Sequence, residues 1–517
     1  MEGQESIQQA PASPEPKKRK SVKKNYIYNV IYQLFLVLVP LIVTPYISRV
    51  LSPEGVGEYS FSYSLITYFT IFGSLGFGYY AQREIAKYQN QKENQSRIFW
   101  EINLCRLVSV GIALLLNIML CLFQVYDKYT LLMWVFSINI FAIAFDISFF
   151  FQGNEEFGKL VLRNVIIKAI SIACIFIFVK NEQDVWIYAL INAAMLIVSN
   201  LSMWGYLPKL LVRIPIKSLR PFKHLKGTLK LFIPTIATSI YTVLDRTLIG
   251  VLIPDTYTVI ENGKEVVKRI SDLENGLYEQ SEKLVKMAMT IITCFGSVMI
   301  PRNSYEISQG NLDKVRQNIY TSSRLVWLVG VPMVLGLIAT ASNFVPWFYG
   351  EGYEKCIPLI SIFSVLILLI GFSNIFGLQY LVPSGHDKSF TIALLLGAVL
   401  NLILNCILIP FYWSFGAAIA SIIAECIVTI TMGIMVSKQI SLKKIILCSW
   451  KYLLSGIVMF IPAWFLGKYL ESSILNSLII VGCGIVIYGV MLLILKEQFL
   501  YGFIRKIFKR KKIKTNS

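Results

Sequence analysis

The chain has 517 residues and a net charge of +19; 55% of its residues are hydrophobic and only 15% are charged. A soluble protein of this length needs a larger polar surface, so the composition excludes an ordinary soluble enzyme. Apolar stretches of about 20 residues recur along the whole chain, and each is long enough to cross the hydrocarbon core of a bilayer as a helix. The sequence therefore predicts an all-α, polytopic integral membrane protein.

Fourteen apolar segments predict fourteen transmembrane helices. They lie near 28–50, 58–80, 98–123, 129–151, 160–179, 185–206, 230–253, 275–300, 320–344, 357–381, 389–410, 413–436, 445–466 and 474–495. Residues 1–27 precede them and form a polar, basic tail that we expect to be disordered. A basic linker follows span six at 207–229. A second basic tail, 496–517, alternates apolar and basic residues and is expected to lie on an anionic membrane surface.

The distribution of Lys and Arg predicts the orientation. If both termini are cytoplasmic, the cytoplasmic segments hold 35 of the 49 basic residues and the outside connections hold seven. Basic residues concentrate on the cytoplasmic side of membrane proteins. The positive charge is therefore assigned to membrane lipids and not to nucleic acid.

Two stretches indicate an internal repeat. GEYSFSYSLITYFTIFGSLGFGYYAQR runs from Gly57 to Arg83, and GLYEQSEKLVKMAMTIITCFGSVMIPR runs from Gly276 to Arg302. Both open with G-x-Y, cross the membrane in the same direction and end in Arg. A parallel repeat predicts two six-helix lobes related by a pseudo-two-fold axis along the membrane normal.

The lobes and the remaining segments follow from this repeat. Residues 28–206 form the predicted N-lobe, 230–436 form the C-lobe, and 445–495 add two further spans. Residues 254–275 are a polar insertion on the outside. Their VIENGKEVV predicts a small β-hairpin around Asn-Gly. The insertion either covers the outer mouth of the protein or is a passive addition.

Span eight carries the largest group of charges. Glu279, Glu282, Lys283 and Lys286 lie on one helical face, and Glu279–Lys283 and Glu282–Lys286 have the i,i+4 spacing of ion pairs. A charge at bilayer depth costs ~2.5–3.5 kcal/mol, so charged side chains usually face a wet cavity or a partner. The face is either the wall of a polar cavity or a set of salt bridges between helices.

Asp245 and Arg246 lie inside the apolar run IYTVLDRTLIGVLI of span seven. Arg49 occupies the corresponding part of span one. Arg binds phosphate with two parallel hydrogen bonds, so two such residues in one cavity would fit a pyrophosphate. Asp245 would then hold a neighbouring basic side chain. The alternative for Arg49 is snorkelling to the outer interface. Asp146 is the candidate for ion coupling, because a lone carboxylate within a span can carry a proton.

Catalytic and metal-binding patterns are missing. The nine Cys and two His residues form no CxxC motif or zinc spacing. The sequence also contains no Walker A motif and no convincing catalytic arrangement. We therefore predict no enzyme, no cofactor and no metal, and transport driven by an H+ or Na+ gradient.

Two parts of the chain resemble a known family. NVIYQLFLVLVPLIVTPYISRVLSPEGVGEYSFSYSL followed by GFGYYAQREIA resembles the opening of Wzx-type oligosaccharide flippases. LDRTLIGVLI followed by ENGLYEQSEKLVKMAMTIITCFGSVMIPR resembles the matching seventh and eighth spans. These proteins belong to the multidrug/oligosaccharidyl-lipid/polysaccharide exporter superfamily.

The resemblance implies two lobes around a cationic cavity that work by alternating access. It implies a substrate of undecaprenyl-pyrophosphate-linked repeat units, moved from the inner to the outer leaflet of the bacterial cell membrane for surface polysaccharide. Polymerase and chain-length proteins are candidate partners. A peptidoglycan lipid precursor flippase and a multidrug/cation antiporter are alternatives within the superfamily. A membrane polysaccharide polymerase or ligase and a structural protein without transport are alternatives of other classes.

Overall fold

The computed structural model describes residues 22–88, 91–261 and 264–497. This part of the chain forms α-helices, short 3-10 turns, one π-helical turn (Gly377–Leu381) and one β-hairpin. The first eight helices are α1 (Val22–Ser74), α2 (Phe77–Lys87), α3 (Lys92–Leu122), α4 (Thr130–Ala144), α5 (Ser148–Gly153), α6 (Phe157–Phe178), α7 (Val185–Ser202) and α8 (Leu225–Leu252). After the strands β1 (Thr256–Glu261) and β2 (Lys264–Arg269) come α9 (Ile270–Ser308), α10 (Leu312–Tyr349), α11 (Cys356–Ser364), α12 (Leu366–Phe376), α13 (Asp387–Val436), α14 (Leu442–Leu447), α15 (Ser449–Tyr469) and α16 (Ile474–Ile494).

Helical spans confirm the predicted fold class. Ten helical stretches within the described residues are long and apolar enough to cross a membrane. One of them, α13, contains two spans joined at a kink at Trp413, where φ is 52°. Helix α1 has the same form, with its kink at Ser52. The protein is therefore a multi-pass membrane protein, and the count of fourteen spans stays a prediction.

Several predicted boundaries are wrong. The first predicted connection, 51–57, contains a single non-helical residue, Ser52, because Pro53 and the residues after it resume the helix at once. The second span ends at Ser74 and not near residue 80. There the left-handed Gly76 lies against the backbone of Phe232, and its φ of 70° turns the chain into α2.

Two further boundaries differ from the prediction. The fourth span is broken at 145–147, between α4 and α5. Helix α1 begins at Val22, so residues 22–27 of the predicted disordered tail are helical. Most of the two predicted tails, 1–21 and 498–517, lies outside the described residues.

The apolar core is divided between the two halves of the chain. One cluster runs from Val39 to Ile191 and a second from Phe77 to Leu207, so both belong to the first half. The largest cluster runs from Ile249 to Ile445. Smaller clusters join α10 to α15 and α16. This division agrees with the predicted N- and C-lobes, whose boundaries stay predictions.

The predicted hairpin is present. β1 and β2 are antiparallel and pair Glu261 with Lys264, while residues 262–263 lie outside the described residues. We call the side of the protein that carries this hairpin the hairpin face. We call the opposite side the basic face; it contains the linker before α8, the turn before α10 and the segment between α13 and α15.

The two halves meet backbone to backbone below the hairpin. A Cβ atom added to Gly57 would lie 1.7 Å from the carbonyl oxygen of Asp272, and one added to Gly276 would lie 1.9 Å from that of Pro53. No side chain fits there, so both positions require glycine. These are the glycines of the two G-x-Y motifs, and the repeat therefore brings the backbones of α1 and α9 together.

Polar contacts surround these glycines. Gln280 donates to Ser48 across the interface at 3.1 Å, and the Tyr353 hydroxyl donates to the Ser48 carbonyl at 3.2 Å. Lys128 forms an ion pair with the buried Asp272. We call the glycine contact together with these bonds the hairpin-face seal.

The hairpin itself crosses from the C-lobe to the N-lobe. The Tyr257 hydroxyl donates to the Glu54 carboxylate at 2.5 Å, and Arg269 forms an ion pair with Asp127 at 2.7 Å. Both carboxylates belong to the first half of the chain. The insertion therefore joins the two halves of the chain beside the seal, and its role at the outer mouth stays a prediction.

We predict that Gly57→Val opens the hairpin-face seal, because the added carbon atoms overlap the Asp272 carbonyl. The reporter is Ser48→Cys in a cysteine-depleted background, labelled by an impermeant maleimide added from the hairpin face. Gly57→Val should increase this labelling by about tenfold, the factor expected when the free energy that keeps the seal closed falls by about 1.4 kcal/mol. Gly336→Val is the control, since a Cβ there meets nothing within 4 Å. Equal labelling of both variants would contradict the prediction.

Candidate functional site

A cavity of about 370 Å³ lies between the two halves of the chain. Its N-lobe wall comes from α1, α4, α6 and α7, and its C-lobe wall comes from α8 and α9. The lining residues are Tyr59, Ser60, Tyr63, Asn139, Lys168, Tyr188, Asn192, Leu196, Arg246, Glu279 and Lys283. Tyr59 and Glu279 are two and three residues beyond Gly57 and Gly276, so the cavity begins within one helical turn of the seal.

Arg246 is neutralised by two carboxylates of α9. Its guanidinium lies 2.9 Å from the Glu279 carboxylate and 2.7 Å from the Glu282 carboxylate. Glu282 also pairs with Lys286 at 2.6 Å, which confirms one of the two predicted i,i+4 pairs. Glu279 accepts a bond of 3.3 Å from Ser60 of the opposite lobe. A guanidinium with two carboxylate partners stabilises the C-lobe wall and has little charge left for an anionic ligand.

Asp245 is buried in a neutral cage and not beside a basic residue, which corrects the sequence interpretation. Its carboxylate accepts hydrogen bonds from Tyr278 and Ser421, both at 2.5 Å, and from Asn405 at 2.6 Å. Asn405 also donates to Asn401 at 3.0 Å. Asp245 and Arg246 point apart because adjacent helical residues are about 100° apart. The carboxylate therefore lies inside the C-lobe with partners from α9 and α13.

Lys168 and Lys283 bring positive charge to the cavity from opposite lobes. Both are half-buried and line the same space. Within the described residues, neither ammonium has a carboxylate oxygen within 4.0 Å. The predicted Glu279–Lys283 pair is absent from this part of the chain, because Glu279 pairs with Arg246. Among the residues that line this cavity in the described part of the chain, these two lysines are the cations without a carboxylate partner.

The structure does not bring Arg49 or Asp146 to the cavity. Arg49 is exposed and donates to the Trp347 carbonyl of the other half of the chain at the hairpin face, away from the cavity. Asp146 lies in the break between α4 and α5, where its carboxylate accepts from the backbone N–H of Ser148 at 2.9 Å. That bond gives Asp146 a local structural role at the start of α5.

Sequence reasoning missed most of the polar lining. Lys168 was not among the candidate cavity residues, and Tyr59, Tyr188, Asn139 and Asn192 carried no signal that separated them from packing residues. The Asp245 cage had a signal: Asn401 and Asn405 are four residues apart within an apolar span, which places two amides on one helical face. A second cavity of about 270 Å³ adjoins the first through Lys168 and Asn192.

The fold and the cavity define a polytopic membrane transporter with a polar chamber between two helical lobes. The chain belongs to the polysaccharide biosynthesis protein family, whose profile matches residues 22–305, more than half of its length. This match confirms the family that the two repeat motifs resemble. It also agrees with the prediction that the protein is a transporter and not a catalyst.

Two curated relatives extend the match. A putative O-antigen transporter of Escherichia coli (strain K12) is 26% identical over 420 residues, which cover 80% of this chain and 96% of the relative. The lipid II flippase MurJ of Bacillus subtilis (strain 168) is 24% identical over 288 residues, 51% of each chain.

Solved structures share the fold. A lipid II flippase MurJ in an inward closed conformation superposes with a TM-score of 0.65 and 17% identity, covering 92% of this chain and 99% of that one. A multidrug resistance MATE family transporter in an inward-facing conformation has a TM-score of 0.59 and 13% identity, covering 80% and 98%.

We predict that Tyr278→Phe destabilises the C-lobe, because it removes one of three donors from a buried carboxylate. The expected loss is about 1–3 kcal/mol, seen as a lower unfolding temperature of the purified protein in detergent. Tyr79→Phe is the matched control, since Tyr79 is 69% exposed. A Tyr278→Phe protein as stable as the control would show that the cage does not depend on this bond.

Proposed function

We propose that the protein moves undecaprenyl-pyrophosphate-linked oligosaccharide repeat units from the cytoplasmic to the outer leaflet, by alternating access of the central cavity. The single observation that carries this proposal is the pair of lysines, Lys168 and Lys283, which face one cavity from opposite lobes and have no carboxylate oxygen within 4.0 Å in residues 22–88, 91–261 and 264–497. An anion held between them touches both lobes at once. The name of the E. coli relative, a putative O-antigen transporter, supports the same substrate class.

The lysines suit a lipid-linked pyrophosphate. Ammonium groups bind phosphate oxygens as mobile point charges and shift easily as the walls of a cavity move. Arg246, already neutralised, holds the charged face of α9 in position. This assignment moves the phosphate-binding role proposed for Arg246 to Lys283, which lies four helical positions beyond Glu279 on the same wall.

The N-lobe wall suits the glycan. Asn139 and Asn192 offer amide donors and acceptors, and Tyr59, Tyr63 and Tyr188 offer rings and hydroxyls, which together match the mixed polar and apolar faces of sugars. A small organic cation would find the two free lysines repulsive. The charge of the cavity therefore favours an anionic substrate over the multidrug/cation alternative.

The hairpin-face seal supports alternating access. The cavity begins one turn from the glycine contact, so separating the lobes at that contact would connect the cavity to the hairpin face. In the predicted orientation this face is outside, both termini are cytoplasmic, and the basic face meets the inner leaflet. The structure would then be the state that is closed to the outside. Polymerase and chain-length proteins remain candidate partners on the outer side of the membrane.

Asp245 is the better candidate for coupling to an H+ or Na+ gradient than Asp146. Its carboxylate is buried among neutral hydroxyl and amide groups from α9 and α13, with no basic partner within 4.0 Å in the described residues. A buried carboxylate of this kind is stabilised by binding a proton or a small cation. Tyr278 donates to it from α9, which also carries the cavity residues Glu279 and Lys283, so occupancy of Asp245 can bias the position of the cavity wall.

We predict that depletion of the protein in its host causes complete lipid-linked repeat units to accumulate on the inner leaflet. A plasmid with the unchanged gene should remove the accumulated lipid-linked sugar. The double variant Lys168→Ala/Lys283→Ala should remove it about tenfold less effectively or worse, because it loses two charged hydrogen bonds to the substrate. Leaflet-resolved extraction of undecaprenyl-pyrophosphate-linked sugars measures how much of the repeat unit remains on the inner leaflet.

The control for the lysine variant is Lys226→Ala, because Lys226 is exposed and lies outside the cavity. Arg246→Ala should lower the protein level itself, since it removes the ion-pair partner of Glu279 and leaves Glu282 with Lys286 alone among the described residues. If depletion causes no lipid-linked sugar to accumulate and reduces the efflux of small cations, the protein is an antiporter. Accumulation of lipid-linked peptidoglycan precursor would instead assign the peptidoglycan flippase.

We predict that Asp245→Asn uncouples transport, because the amide keeps the hydrogen-bonding shape and loses the charge. Transport by the unchanged protein in reconstituted vesicles should rise with an imposed H+ or Na+ gradient, and transport by the variant should not respond. Asp146→Asn is the matched control and should keep the response. A response lost in Asp146→Asn and kept in Asp245→Asn would return the coupling role to Asp146.

A further inference from the structure

A separate cavity opens on the basic face, between α10 and the turn that joins α14 to α15. Its volume is about 350 Å³, and its lining residues are Tyr320, Arg324, Lys444, Ile445, Leu447 and Cys448. None of them lines the central cavity. The indole N–H of Trp327 donates to the Ile445 carbonyl at 3.1 Å, which holds α14 against α10. The walls of the cavity are therefore held in place by the fold.

The cavity carries two cations without ion-pair partners in the described part of the chain. Arg324 is half-buried and Lys444 is exposed, and neither has a carboxylate oxygen within 4.0 Å there. The Lys444 ammonium lies 5.8 Å from the centre of the Tyr320 ring, which keeps it beside the opening. A half-buried guanidinium with no counter-charge is stabilised by an anion.

Two neighbouring charged side chains already have partners of their own. Arg316, two turns before Arg324 on α10, pairs with Asp313 at 2.9 Å. The Glu497 carboxylate accepts a hydrogen bond from the Tyr452 hydroxyl at 2.9 Å. The positive charge at the cavity is therefore specific to Arg324 and Lys444.

The rim of the cavity is apolar and faces the membrane. Ile446, Leu447 and Trp450 are 64%, 59% and 52% exposed. They project from α14 and the start of α15, where Trp is typical of the membrane interface. A ligand with an anionic head beside the two cations and an apolar chain along this rim is a lipid.

We propose that this cavity binds an anionic glycerophospholipid, with its phosphate between Arg324 and Lys444 and its acyl chains against Leu447 and Trp450. Anionic lipid headgroups are attracted to clustered basic residues at a membrane surface. The bound lipid neutralises Arg324 and attaches α14 to the bilayer. The site is distinct from the substrate cavity and does not depend on which substrate is transported.

Native mass spectrometry of the purified full-length chain in detergent tests the site. The protein is titrated with phosphatidylglycerol or with phosphatidylcholine of the same acyl chains. Arg324→Gln/Lys444→Gln should weaken the tightest phosphatidylglycerol adduct by about tenfold or more, as expected for two basic contacts. Arg316→Gln/Lys443→Gln, which removes two basic residues of the same face outside the cavity, should leave it unchanged.

Two competitors identify the source of the phosphate. An excess of inorganic phosphate and an equal concentration of undecaprenyl pyrophosphate should both fail to displace phosphatidylglycerol. Displacement by either would assign the cavity to that ligand and overturn the proposal. Equal phosphatidylglycerol binding by the cavity variant and the control would also overturn it. If the double variant unfolds, Lys444→Gln alone is used, because Lys444 is exposed, and it should weaken binding several-fold.

Discussion

A guanidinium at bilayer depth needs counter-charges, and much of the C-lobe depends on how Arg246 obtains them. Glu279 and Glu282 approach it from one side of α9, and Lys286 balances the second oxygen of Glu282. This network fixes α9 beside α8 and turns the polar face of α9 towards the space between the lobes. Lys283 is left without a carboxylate partner among the described residues and faces the cavity. The neutralised arginine thus determines which lysine is available to a ligand.

The cavity and the seal share the same two helices. Gly57 and Gly276 bring the backbones of α1 and α9 together, and the cavity residues Tyr59 and Glu279 follow within one turn. Movement at the glycine contact therefore moves the cavity walls, because a helix transmits displacement as a rigid rod over so short a distance. Tyr278, between Gly276 and Glu279, binds the buried Asp245. One stretch of α9 thus joins the seal, the cavity and the buried carboxylate.

The large positive charge of the chain divides into groups with different physical roles. Arg246 is paired and structural, Lys168 and Lys283 face the central cavity, and Arg324 and Lys444 face a second cavity beside the bilayer. Other basic residues, such as Arg269 and Lys128, form ion pairs with Asp127 and Asp272 across the hairpin face. The number of basic residues alone distinguishes none of these roles, because the distance to the nearest carboxylate decides each one.

The sequence by itself determined the membrane class, the hairpin around Asn-Gly, the paired G-x-Y motifs and the polar face of α9, because apolar length, turn chemistry and helical periodicity are local properties. It also identified the family. The tertiary structure alone decided that Arg246 is neutralised, that Arg49 lies at the hairpin face, that Asp146 serves the start of α5, and that Lys168 meets Lys283 across the cavity. The outcomes for Arg246, Arg49 and the two lysines depend on contacts between different helices, some of them more than a hundred residues apart, and no local pattern encodes such distances. The Asp146 bond is local, but it depends on the break between α4 and α5, which the apolar pattern of the span does not show.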